Sequence, residues 1–181
     1  MPIVPDDKDW TWVLHQRCFE CGFDAASLPA RDIAPLIRTC ALAWGTVLRG
    51  PGPGLQRRPH PDRWSPLEYA CHVRDVFSLY AFRLGLMLSE DNPTFPNWDQ
   101  DETAVAERYG DQDPGTVWSA LQLAGENLAA AFEGVDRDAW NRAGRRSDGA
   151  SFTVETFGRY MIHDPIHHLH DVGAGMAPPT G

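Results

Sequence analysis

The sequence predicts an all-α protein, a four-helix bundle, from three observations. Four segments carry apolar residues at helical spacing, each is bounded by capping, proline or glycine signals, and no stretch reads as a strand. At 181 residues, 43% hydrophobic and 23% charged, the chain is long enough for one domain with its own core. That domain is expected to span residues 1–181, with an irregular extension over about residues 1–29.

Within the extension, DDKDWTWVLHQ suits a short helix ahead of the turn CFECG. The first long helix is expected from about Asp32 to Leu48, where Ile33, Leu36, Ile37, Cys40, Trp44 and Leu48 share one face before GPGPG stops it. The second opens with Ser65 as N-cap, Pro66 at the first helical position and Glu68 completing a capping box, and it runs to about Leu88. A long connection follows, with one short helix near Glu102 to Arg108. Asp113 caps the third helix, which starts at Pro114, turns Val117, Leu121, Ala124, Leu128 and Phe132 to the core, and ends at Gly134. An arginine-rich stretch then leads to the fourth, from about Thr153 to Val172, with Gly173 and Gly175 as terminators.

Charge narrows the function. A formal net charge of -9, with only the short basic run LQRRPHPDR against it, argues against nucleic acid and anionic membranes as partners. No stretch is long and apolar enough to span a bilayer, and MPIVPDDKDW lacks the basic and apolar segments of a secretory leader, so a cytoplasmic setting is expected. Four cysteines in such a setting read as thiols or ligands before disulfides.

The stretch MIHDPIHHLHDV holds four of the seven histidines in eight positions. His163 and His167, four apart, project from one side of the fourth helix about one turn from each other, a spacing that lets two imidazoles share a metal ion. His170 extends that face and His168 points elsewhere. Pro165, between the pair, removes an amide and predicts a local distortion. On the second helix, His72 interrupts the apolar stripe of Tyr69, Val73, Val76, Tyr80, Leu84 and Met87. A lone buried histidine is satisfied by a core tyrosine; with two more histidines at helical spacing, a His72, His163, His167 metal site is the competing reading.

WSPLEYACHVRD together with HDPIHH resembles the DinB-like, or YfiT-like, superfamily, from the first long helix to His170. The resemblance implies a four-helix bundle connected up, down, down, up and a three-histidine metal site at His72, His163 and His167. It also implies that PNWDQDETA brings Trp98, Asp99 or Asp101 near the metal. Members of this family include thiol-dependent isomerases and transferases and proteins described as metal-dependent hydrolases.

Three neutral histidines leave coordination positions open on a divalent ion, zinc foremost, with nickel, iron or manganese as alternatives, so a bound water or thiol can lose its proton near neutral pH. The leading expectation is an enzyme using a low-molecular-weight thiol for transfer or isomerisation of a small-molecule substrate. The alternatives are a metal-dependent hydrolase and a non-catalytic metal- or thiol-binding bundle, and homodimers are common among such bundles. Asp75, one turn after His72, is a candidate orienting group or base, or else solvated or paired with Arg74 or Arg83. Asp99 and Asp101 are further catalytic candidates, and Asp164 is expected to be second to the ligands or exposed. Cys18 and Cys21 form a C-x-x-C pair with three readings: structural thiols, a second metal site completed by His15, His168, His170 or another subunit, or a redox pair. Cys40 and Cys71 fall on core faces as small apolar fillers.

Overall fold

The computed structural model describes residues 9–176, so the start of the DDKDWTWVLHQ segment, residues 6–8, lies outside it. Its long helices are α1 (Ile33–Leu48), α3 (Pro66–Ser89), α5 (Pro114–Glu133) and α6 (Val154–Asp171), with α2 (Gly52–Leu55) and α4 (Gln100–Ala106) as short pieces between them. The caps fall where the sequence puts them. Ser65 Oγ accepts from the Glu68 backbone N–H while the Glu68 carboxylate accepts from that of Ser65, and the Asp113 side chain accepts from Thr116 N. At the far end of α6, Gly173 adopts a left-handed φ of 70°, and the Ala174 N–H reaches back to the Leu169 carbonyl in a Schellman ending. The expected N-terminal helix is a 3-10 turn, Trp10–Leu14, capped by Asp9.

Side-chain pairings fix the helix directions. Arg38, early in α1, binds Glu126 and Glu133, late in α5, so those helices run antiparallel. Tyr109, just before α5, donates to Asp75 in the first half of α3, which makes α3 and α5 parallel. His72, early in α3, meets Asp164, late in α6, and Trp44, late in α1, donates its indole N–H to the Pro165 carbonyl at 3.1 Å. The bundle is therefore up, down, down, up, with helices packed round it in the order α1, α5, α3, α6. Parallel neighbours cannot be joined by a tight turn, which is why 24 residues separate α3 from α5.

The sequence gives no hint of a small sheet at the end of the bundle. Strand β1 (Thr94–Phe95) lies parallel to β2 (Ala143–Arg146), which pairs antiparallel with β3 (Ser151–Thr153). Strands of two to four residues are too short for a period-2 pattern to register. The core is one cluster from all four long helices, with Trp44, Phe77, Phe132 and Phe157 among its largest members and Cys40 and Cys71 as buried fillers.

Gly158 of α6 shows how tight that core is. A Cβ there would sit 2.8 Å from Ile33 Cδ1 and 2.9 Å from Phe132 Cε1, both on buried side chains. Gly158→Ala should cost about 1–3 kcal/mol, read as a fall in the thermal midpoint with the helical circular dichroism intact; an unchanged midpoint would mean the core yields at this point.

Candidate metal centre

His72 is fully buried in α3, and only one of its ring nitrogens faces a polar group. Nε2 lies 3.2 Å from Asp164 Oδ1 and 3.4 Å from Oδ2, while Nδ1 has no hydrogen-bond partner among the described residues. Trp98 stacks on the ring, centroids 5.5 Å apart and planes 8° from parallel, and Trp64 covers it at 5.3 Å. His168, one turn beyond Asp164, places its Nε2 3.7 Å from Asp164 Oδ1. Its other nitrogen, Nδ1, lies 2.9 Å from Asp171 Oδ2, a contact that orients the ring. One ligand atom from each of His72, Asp164 and His168 thus lies within 4.8 Å of the other two. Burial opposes the charge on Asp164, but His72 and His168 beside it outweigh that cost and hold the carboxyl well below the usual carboxylate range.

His163 and His167 belong to a second group. His167 Nδ1 lies 3.6 Å from Cys18 Sγ and His163 Nε2 lies 3.7 Å from Cys21 Sγ, with all four ligand atoms within 4.8 Å of one another. Burial, with His167 alongside, pushes the His163 imidazole down to about 4, and burial lowers His167 as well.

The expected His72, His163, His167 triad is not brought together as one group among the described residues: His72 groups with Asp164 and His168, and His163 and His167 group with Cys18 and Cys21. Successive helical residues are about 100° apart, so 163 and 167 form one row on α6 while 164 and 168 form the next. Helix α3 covers the second row and the N-terminal segment covers the first. Asp164, expected beside the ligands or exposed, stands within the His72 group. His168, expected to point elsewhere, faces His72, and His170, expected to extend the metal face, is exposed. The overlooked signal is the D-x-x-x-H spacing of Asp164 and His168, which overlaps the H-x-x-x-H pair by one residue.

Among the remaining candidates, Asp75 is engaged by Arg74, Nε to Oδ1 at 2.8 Å, and by the Tyr109 hydroxyl. Asp99 caps α4 by accepting from the Asp101 and Glu102 amides, and both Asp99 and Asp101 line a cleft of about 770 Å³ that opens onto His72, Asp164 and His168. Arg83 and Arg146 line the same cleft. Arg83 is buried and donates to the Pro96 carbonyl, and Arg146 donates to the Tyr160 hydroxyl at 2.8 Å.

The sequence pattern of the DinB superfamily matches residues 42–172. The chain belongs to the DinB superfamily. The matched span of this DinB-superfamily chain covers α3 and α6, and so all three residues of the His72 group. Among solved structures it is similar to YfiT from Bacillus subtilis, described as a probable metal-dependent hydrolase with an unusual four-helix bundle topology. The two share 17% identity over 78% of this chain and 82% of YfiT, with a TM-score of 0.71, a likeness of fold. No curated protein matches the chain. Among the described residues no helix is long and apolar enough to cross a membrane.

The lowered imidazoles give a pH dependence with a definite sign. His163 has a folded-state value of about 4 against an ordinary 6.5, so between those limits the unfolded chain binds more protons and stability rises with pH. The metal-free protein should lose on the order of 3 kcal/mol from His163 as pH falls from about 6.5 to about 4, with His167 adding in the same direction. Urea unfolding across that range in the presence of a chelator measures it, and His163→Gln should flatten the slope; a flat profile in the wild type would contradict it.

Proposed function

We propose that the protein is a divalent-metal-dependent enzyme acting on a small molecule, with His72, Asp164 and His168 as ligands and zinc as the favoured ion. The observation that carries this reading is the fully buried His72, whose one polar-facing nitrogen meets a carboxylate and a second imidazole where a cleft opens. The donor set fits the ion: two imidazoles and one carboxylate make up a known class of catalytic zinc site, which keeps a position for a further ligand. A divalent ion held there brings a bound water or thiol towards its deprotonated form near neutral pH.

The chain's own residues supply the rest. Asp171 holds the His168 ring, Trp64 and Trp98 keep water from the His72 ring, and Arg83 and Arg146 bring positive charge to the cleft for an anionic group on the substrate. Asp99 and Asp101 are the candidate bases in the cleft, since Asp75 is taken up by Arg74 and Tyr109. A low-molecular-weight thiol is the favoured nucleophile, making the enzyme a transferase or isomerase, because about 770 Å³ has room for a thiol and an acceptor together. Water in the same role would make it a hydrolase, a reading favoured by the carboxylate among the ligands and by the description of YfiT.

Elemental analysis paired with binding of several chemical types of thiol tests the proposal. His72→Ala and His168→Ala should each release this ion and abolish metal-dependent thiol binding. Asp171→Asn should keep the fold and weaken metal affinity about 10–100-fold, whereas Asp75→Asn should leave metal content unchanged. Full metal retention by a folded His72→Ala variant would sink the assignment.

A further inference from the structure

We propose that Cys18, Cys21, His163 and His167 bind a second metal ion, a tetrahedral zinc that fastens the N-terminal segment onto α6. The inference rests on different residues from the His72 centre. Two of them, Cys18 and Cys21, lie ahead of the span matched by the superfamily, which begins at residue 42.

Spacing is the first argument. Cys18 and Cys21 form C-x2-C and His163 and His167 form H-x3-H, the two half-motifs of a Cys2His2 structural zinc site, here 142 residues apart and brought together by the fold. Distance is the second. Zinc bonds of about 2.3 Å to sulfur and 2.0–2.1 Å to nitrogen, at tetrahedral angles, set a sulfur-to-nitrogen edge of about 3.6 Å. The two cross pairs measure 3.6 and 3.7 Å, and no two of the four atoms are more than 4.8 Å apart.

The surroundings hold the four side chains in place. Cys18, His163 and His167 are buried and Cys21 is half-buried, with the two histidines at the inner edge of the cleft. The cysteine turn is held by Gly22 N–H to the Cys18 carbonyl at 3.0 Å and Cys18 N–H to the Phe23 carbonyl at 2.9 Å, and Gly22 takes a φ of 76° that a side chain would resist. Glu20 Oε2 stands 3.4 Å from His167 Nε2, the nitrogen not facing sulfur, where a carboxylate orients a ligating imidazole. A redox pair of the thioredoxin type draws its reactivity from a helix start, and residues 18–22 form a turn with no helix following.

The ion also has structural work to do. Between the 3-10 turn at Trp10–Leu14 and the one at Ala30–Asp32 the chain has no regular element. Yet Trp10 lies over His163 and His167, ring centroids 5.5 and 5.0 Å apart, and Trp10 and Glu20 form part of the cleft wall. Two thiolates balance the charge of a divalent zinc, so binding releases two protons and leaves a neutral, buried cross-link from the N-terminal segment to the last helix.

Cobalt substitution of the full chain tests this directly. The Co2+-loaded wild type should show an intense near-ultraviolet thiolate charge-transfer band and the visible bands of a tetrahedral ion. The Cys18→Ser, Cys21→Ser double variant should lose the thiolate band and one molar equivalent of zinc, while His72→Ala should lose its own ion and keep the band. Failure of the first centre and of this one are thus read separately. A cobalt-saturated wild type with no thiolate band would overturn the proposal without depending on any variant's folding, and so would a band that persists in the double variant or disappears in His72→Ala.

Discussion

The antiparallel crossing of α3 and α6 is the constraint on which the rest of this structure depends. A fully buried imidazole at His72 needs a polar neighbour, and the crossing supplies Asp164 at 3.2 Å with His168 one turn further on. Asp164 in turn bears its charge in a half-buried place because two imidazoles surround it. Neither helix can slide along the other without leaving these groups unpaired, so the polar contacts set the register that the apolar stripes leave loose. Trp44 reinforces it from the other side by donating to the Pro165 carbonyl, which pins α1 to α6 in the middle of the histidine-rich turn.

The up, down, down, up connection has a chemical consequence as well as a geometric one. Because α3 and α5 run parallel, the chain must travel the length of the bundle between them, and that stretch carries Trp98, Asp99 and Asp101 to the mouth of the cleft. Its end is moored by Tyr109, whose hydroxyl donates to Asp75. Asp75 thereby serves the architecture, holding the crossover against α3. The small sheet does similar work at the opposite end, and its β2 strand delivers Arg146 to the cleft.

Helix α6 carries two ligand rows side by side, and their surroundings differentiate them. The Asp164 and His168 row opens onto a cleft with arginines and carboxylates around it, suited to exchange and chemistry. The His163 and His167 row borders the same cleft but is packed against Trp10 and the cysteine turn, which suits it to a cross-link. A shift of one residue along the helix, about 100° of rotation, separates the two environments. The rows are also coupled, since Asp171 orients His168 and lies 3.9 Å from His167.

Local rules fixed much of this molecule in advance. The capping box at Ser65, the proline starts at Pro66 and Pro114 and the glycine ending at Gly173 depend on residues within one turn of each other, so they can be read along the chain and they mark the helices correctly. The concentration of metal-binding side chains on α6 and the isolated His72 on a core face were legible for the same reason. The grouping of those side chains was not. Whether His72 faces 163 and 167 or 164 and 168 depends on the angle at which α3 meets α6, and whether Cys18 and Cys21 find ligands depends on where an irregular segment crosses a helix 142 residues away. Such angles are set by the summed packing of many side chains, which no local pattern encodes. The sequence by itself determined the helices and the types of candidate ligand; the tertiary structure alone decided which of those side chains meet.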